Sequence, residues 1–397
     1  RMTLTELIAD QLRLGQLEMG ADDVLGVLSQ RRLYVLLDGL NEVPNHLPLV
    51  SELGTLISKT PKNKYFLSCR TTDYGLIQEQ LPAHRAWQLQ RFSPEEIKEF
   101  LKRVIQDEPG RTERLNAWLS DKRLVEVLGT PFFISLFANL APSSRLSPRN
   151  RAELCDCFVD EYQTRELKTR PELKGFGFPW SLLEEVAFRM QDLQETYLQQ
   201  SQFEELCRKV WVAQFYEYKT TVTLQETLGM LYGSPLLTHP SGRVAFSHQL
   251  FRDFFAARAL KEKIGLSDSA AFVHFVGDKN WDYTIVLLAG ILDDASQVLD
   301  NIVYEGTNYD LAARCLREAK RLKPRVLEHT VEWMRQGHQF STLFSLDSLI
   351  ASLPERASEW RTEETEAIVR TVLASERLLN LTPARIWILP FLFHGWQ

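Results

Sequence analysis

Long apolar runs are absent from this 397-residue chain. None reaches the roughly 18 residues that a membrane-spanning helix needs, and no signal peptide is visible, although an absent amino terminus would hide one. Cysteine is scarce as well. The five present (Cys69, Cys155, Cys157, Cys207, Cys315) are odd in number and lack metal-ligand spacing. That argues against a disulfide framework or a zinc site and reads as reduced, mostly buried thiols in a cytoplasmic protein, with Cys155-x-Cys157 the only close pair. Charge of one sign is not in excess either. With 46 basic and 52 acidic residues, a net charge of -6, 44% hydrophobic and 25% charged residues, the chain resembles neither a disordered protein nor a nonspecific nucleic-acid binder. The length suits two to four domains.

What is present is most pointed at residues 33–44. There an apolar run, Leu33-Tyr34-Val35-Leu36-Leu37, stops at Asp38-Gly39, and Glu42 follows in Leu40-Asn41-Glu42. Burial of a strand on both faces favours Val and Leu, whereas an unpaired carboxylate there is expensive. Asp38 then asks for a partner, and Mg²⁺ bound to phosphate is the natural one. A nucleoside triphosphatase places a magnesium carboxylate and a water-activating one in this way. The same residues also read as a strand followed by a solvated Asp-Gly turn. Residues 47–58 have helical character and Lys64 to Ser68 reads as a second buried strand, so the strand-helix-strand unit predicts parallel pairing. This second strand runs into Cys69-Arg70-Thr71-Thr72. In a doubly wound sheet both strand ends lie on the ligand edge, which puts Arg70 near Asp38. From there it either reads a terminal phosphate or pairs with Asp38 or Glu42. A glycine-rich phosphate loop, G-x-x-x-x-G-K-[ST], occurs nowhere in the sequence. Either the chain is no phosphate-loop enzyme or it begins downstream of the loop. Arg1 in place of an initiator methionine, and an apolar, aromatic ending over Ile386 to Gln397, favour a fragment cut at both ends.

Elsewhere the pattern is mainly helical. Leu4, Leu7, Ile8 and Leu12 form a stripe in a helical stretch over 1–30. Trp87 and Leu89 mark a short strand. Ser93-Pro94-Glu95-Glu96 starts a helix, with a serine cap, proline in the first turn and glutamate three positions on. Its stripe of Ile97, Phe100, Leu101 and Val104 is expected to pack inward. Leu124 to Leu128 leads into Gly129-Thr130-Pro131-Phe132-Phe133, where the proline opens an apolar helix through Leu140. After a helical stretch over 150–193 come helices at 203–215 and 225–232, a hairpin over 236–246 with Ser-Gly at its tip, and a long helix. Together these outline a winged helix. His248 begins that last helix ahead of its apolar face, Leu250, Phe251, Phe254 and Phe255. By itself it reads as a capping or core histidine. Past residue 266, Trp281 to Leu292, Tyr309 to Leu322, Phe340 to Leu353 and Glu364 to Leu379 show apolar spacings of three and four at intervals of about 30 residues. That suggests an α-solenoid, with a helical bundle as the alternative.

The order of the motifs is more telling than any one of them. Asp-Gly-Leu-Asn-Glu after a strand, Ser-Cys-Arg-Thr after the next, Leu-Gly-Thr-Pro-Phe-Phe opening a helix, and Phe-Ser-His-Gln-Leu-Phe-Arg-Asp-Phe-Phe-Ala-Ala at a helix start follow one another over roughly residues 1–265. This arrangement resembles the NACHT family of signal-transducing nucleoside triphosphatases, within the STAND class related to AAA+ ATPases. The resemblance implies an α/β region followed by all-α structure. The parts would be the end of a nucleotide-binding domain with an AAA+-like parallel sheet (1–92), a helical lid (93–150), a winged helix with its preceding helices (151–265) and a helical repeat-like sensor (266–397). It also implies ATP or ADP and Mg²⁺ as cofactors. Asp38 would be the Mg²⁺-associated acid and Glu42 would polarise the attacking water. Arg70 would be the sensor arginine at the terminal phosphate, Pro131 would pack near the adenine, and His248 would reach the β-phosphate of ADP. Where the family commonly has a second aspartate this chain has Asn41, which bears on hydrolytic rate rather than binding. Hydrolysis is expected of the full-length protein and negligible turnover of these residues alone. A ligand or protein trigger on the helical region, homo-oligomerisation on activation and a bacterial anti-phage or stress-signalling role complete the expectation. A non-hydrolysing scaffold, or a transcriptional regulator acting on nucleic acid through its winged helix, is the alternative.

Overall fold

Residues 1–90 and 91–397 form two compact units in the computed structural model. It describes residues 3–14, 16–40, 47–69, 74, 77–78, 80–104, 111–120, 122–140, 148–169, 179–215, 222–239, 242–263, 269–305 and 308–336.

In the first unit, helices α1 (Leu4–Leu14) and α2 (Ala21–Gln30) precede strand β1 (Tyr34–Leu37), and helix α3 (Leu47–Lys59) leads to strand β2 (Lys64–Leu67). The two strands are parallel, in register from Tyr34 opposite Lys64 to Leu37 opposite Leu67, as the intervening helix predicts. Val35, Leu37, Tyr65 and Leu67 pack on a core of Leu4, Ala9, Val24, Leu28, Leu53 and Leu56. The expectation of strands buried on both faces needs correction. Tyr34 is 69% exposed, Leu36 74% and Phe66 46%, because the described helices cover one face of the sheet and alternate side chains point away from it. On the open face the Tyr34 and Phe66 rings stack at 6.1 Å, with Lys64 Nζ 5.5 Å from the Tyr34 ring centre. The strand expected at Trp87 and Leu89 is also corrected. Both side chains stand in solvent and the segment pairs with no strand among the described residues. Alternating apolar residues supply a strand's side chains but not the neighbour whose backbone makes it one.

The second unit opens with α4 (Pro94–Val104). The Ser93 N–H donates to Glu96 Oε2 at 2.8 Å and the Glu96 N–H returns to Ser93 Oγ at 3.3 Å, the reciprocal cap that the sequence announces. Ile97 and Leu101 are fully buried, but Val104 is exposed rather than inward. Then come α5 (Arg111–Ser120), α6 (Lys122–Leu128), α7 (Pro131–Leu140), α8 (Arg151–Thr169), α9 (Trp180–Asp192), β3 (Leu198–Gln199), α10 (Gln200–Phe215), α11 (Leu224–Tyr232), β4 (Leu237–Thr238), β5 (Arg243–Phe246) and α12 (Gln249–Lys263). The hairpin strands β4 and β5 are antiparallel, and β5 also pairs antiparallel with β3, so the sheet order is β3-β5-β4.

Among the described residues five further α-helices follow: α13 (Ser269–Gly277), α14 (Asp282–Ile291), α15 (Ser296–Glu305), α16 (Tyr309–Glu318) and α17 (Pro324–Gln336). They pack in two alternating stacks. One runs α9, α12, α14, α16 and the other α13, α15, α17. The helices expected at 340–353 and 364–379 lie outside the described residues. Asn150, itself buried, stitches the start of α8 to this array. Its Nδ2 donates to the Gly290 carbonyl at 3.2 Å and the Glu318 carbonyl at 2.8 Å, while its Oδ1 accepts from Glu153 N–H at 2.8 Å. Gly290 has to be small, since a Cβ there would sit 3.0 Å from that of Ala152.

Each of those bonds serves a group with little access to water, and an unsatisfied buried polar group costs about 1–3 kcal/mol. We therefore expect Asn150→Ala to destabilise the second unit by about 2–3 kcal/mol in urea titrations followed by tryptophan fluorescence. A loss within error of zero would mean that the stitch is dispensable.

Candidate functional site

Asp38 stands immediately past β1, and the end of β2 holds the turn around it. The Ser68 N–H donates to the Leu37 carbonyl at 3.0 Å and the Leu40 N–H donates back to the Ser68 carbonyl at 3.0 Å, so the strands stay paired up to the acid. Ser68 Oγ accepts from Gly39 N–H at 2.9 Å and donates its proton to Asp38 Oδ1 in a short hydrogen bond. Gly39 has φ +74, a conformation that a residue with a Cβ adopts at a cost. One serine hydroxyl thus fixes both the carboxylate and the peptide that turns away from it. From sequence Ser68 reads as the end of the second strand, ahead of Cys69-Arg70, and nothing in its type or spacing reveals this bridge.

Asp38 is exposed. Burial therefore forces no partner on it, because a carboxylate in water carries no desolvation cost. Its candidacy rests on position, at the carboxyl end of a parallel strand. Glu42 and Arg70, with Asn41, lie outside the described residues.

In the second unit two sequence-predicted residues meet through a third. Pro131 is the first residue of α7 and is exposed. The Thr130 carbonyl accepts from Ile134 N–H at 3.1 Å and the Gly129 carbonyl from Phe92 N–H at 2.9 Å. His248 occupies the cap position of α12. Its carbonyl accepts from Phe251 N–H at 3.0 Å and its Nδ1 from Leu250 N–H at 3.1 Å, which realises the capping reading of that histidine. An imidazole nitrogen that accepts a hydrogen bond bears no proton, so in the neutral ring the proton is on Nε2. The Phe132 ring lies against the imidazole, with centroids 3.8 Å apart and planes at 24°. The Gly129-Thr130-Pro131 segment and His248, 117 positions apart by subtraction of 131 from 248, are thereby neighbours.

Residues 2–108 match the family model of the NACHT domain. The chain carries a NACHT-type nucleoside triphosphatase domain. The NACHT match includes Asp38, Glu42 and Arg70 and stops short of Pro131 and His248. No curated protein matches the chain. A NACHT domain binds nucleotide, typically with Mg²⁺, and the residues described fit those groups. Asp38 offers a solvated, hydrogen-bonded carboxylate suited to a hard cation held partly by water and phosphate oxygens. Among the described residues no group of three His, Cys, Asp or Glu side chains could hold a metal ion alone, and no helix is long and apolar enough to cross a membrane.

Because Asp38 is exposed, Asp38→Asn should leave the melting temperature within about 2 °C of wild type, an exposed substitution being worth within about 0.5 kcal/mol. A drop of more than about 8 °C would make the acid a structural residue rather than a site residue.

Proposed function

We propose that the chain is the switch region of a STAND-class signalling ATPase, in which ADP bound to the NACHT domain is also held by His248 and keeps the protein closed. The stack of Phe132 on His248 carries this reading, because it joins a segment read as adenine-facing to a histidine read as phosphate-facing. Asp38 would serve the Mg²⁺, Glu42 the attacking water and Arg70 the terminal phosphate, with Asn41 in place of a second acid slowing hydrolysis. Residues 1–92 would end the nucleotide-binding domain, 93–150 form its lid, 151–265 contain a winged helix and 266–397 a sensor. The element order α9-β3-α10-α11-β4-β5 with a three-stranded antiparallel sheet supports the winged helix, and the two helix stacks support a repeat-like sensor. A trigger on the sensor and exchange for ATP would open the protein and permit homo-oligomerisation, in cytoplasmic anti-phage or stress defence.

The alternative, a regulator that binds nucleic acid through the winged helix, meets a chemical obstacle. The helix ahead of the hairpin is the one such a fold places in a groove. Here it reads Leu-Gln-Glu-Thr-Leu-Gly-Met-Leu-Tyr over Leu224–Tyr232, with an acid and no basic residue, whereas phosphate backbones demand Lys and Arg.

Two measurements test the proposal. A hydrogen bond to a charged phosphate is worth roughly 1.5–3 kcal/mol, so His248→Ala should release a fluorescent ADP one to two orders of magnitude faster while changing apo-state melting little. Unchanged release with lowered apo-state stability would make His248 a structural cap only. In the full-length protein Asp38→Ala should abolish Mg²⁺-dependent nucleotide turnover, and retained turnover would reduce the strand end to a solvated turn.

A further inference from the structure

We propose that Phe132 is a positioning residue for His248, the platform that fixes the plane of the imidazole and keeps its Nε2–H directed away from the helix cap. The inference rests on reading His248 as the phosphate contact.

An exposed histidine at a helix start ordinarily has several rotamers open to it. Two contacts restrict this one from different sides. The Leu250 N–H at Nδ1 sets the tautomer and the ring's edge, and the Phe132 face at 3.8 Å sets its plane. That separation is shorter than the roughly 4.5–7 Å common for aromatic pairs, so the rings are in face contact.

A platform must itself be rigid, and Phe132 is. It packs edge-on against Phe133 at 5.5 Å and 76° and against Phe251 at 5.5 Å and 72°. Phe251 in turn stacks on Phe158 at 5.5 Å. His248 and Phe251 are three residues apart and so share one face of the start of α12. The ring of Phe132 contacts both. Helix α7 is thus keyed into α12 by one side chain, and a shift of α7 relative to α12 would withdraw the support of the histidine before breaking its cap. Isoleucine or leucine at 132 would fill the volume without offering a flat face. The aromatic ring is therefore the feature the histidine requires.

The test follows the histidine in the nucleotide-free chain, by long-range ¹H–¹⁵N spectra of ¹⁵N-histidine-labelled protein with His248→Gln identifying the signal. Wild type should show a single Nε2–H tautomer. Phe132→Leu should give averaged nitrogen shifts indicating mixed tautomers, and should release fluorescent ADP about three- to tenfold faster. Phe132→Tyr should restore both. Phe132→Met replaces Phe132→Leu should the latter melt early. A fixed Nε2–H tautomer in both ringless variants would overturn the proposal, as would failure of Phe132→Tyr to restore it. Averaged tautomers with unchanged ADP release would uphold the positioning role and remove the phosphate contact instead, so the two readings fail separately.

Discussion

The second unit depends on helix α12, which is buried on nearly every side. Leu250, Phe251, Phe254, Phe255, Ala256, Ala257, Ala259 and Leu260 are buried, and so are the charged pair Arg252 and Asp253. A helix buried on nearly every side belongs inside a protein, and α9 and α14 flank this one. Its two buried charges are tolerable because they meet. Arg252 Nη2 lies 3.2 Å from Asp253 Oδ1, and its Nη1 donates to the Glu195 carbonyl at 3.3 Å. Further along, Arg258 reaches Glu184 at 2.8 Å on α9 and Asp156 at 3.3 Å on α8. Burial pushes both carboxyls above the usual carboxylate range, and Arg258 offsets only part of that rise. The helix is thus held by packing along its length and by ion pairs at defined points. His248, at its start, is mounted on this buried helix, which would suit a residue whose proposed task is geometric.

The same packing makes the second unit hard to divide. Its hydrophobic cluster is continuous from Ile97 to Leu327, and α14 covers α12 directly. Helices beyond residue 266 are therefore wall as well as sensor in the proposed scheme. Removing them would uncover the helix that carries His248, so a trigger acting on that region has a mechanical path to the histidine through shared packing.

Features encoded locally were legible in the sequence. These include the parallel strand pair, predicted from the helix between its strands, the reciprocal cap at Ser93 and Glu96, the helix opening at Pro131 and the hairpin ending at Phe246. Features that depend on distant partners were not. Strand β3 is only Leu198–Gln199 and exists because β5 lies beside it. Tyr34 and Leu36 read as core until the coverage of the sheet is known. Trp87 and Leu89 alternate as strand residues do yet have no ladder among the described residues. Helix α15 went unread although it lies at the centre of its stack. At the site, the position of Asp38 was legible and its exposure was not. Neither the hydroxyl of Ser68 nor the ring of Phe132 could be assigned a role, since each acts across contacts spanning 29 or more residues.

Phe132 and Phe133 show how much one helical turn can carry. Consecutive residues on a helix diverge by about 100°, so the pair necessarily faces different neighbours. Phe132 meets His248. Phe133 meets the Arg151 guanidinium at 5.9 Å, and Arg151 pairs with Glu318 at 3.1 Å. The first turn of α7 is therefore in contact on one side with the proposed phosphate-binding histidine and on the other with an ion pair to the helical array. It cannot rotate to relax one contact without disturbing the other, because the angle between the two side chains is fixed by the helix itself. A displacement of Glu318 would strain its pair with Arg151, costly to break where both are largely buried. The arrangement of these two phenylalanines is what would let a helical array more than 60 residues downstream bear on His248.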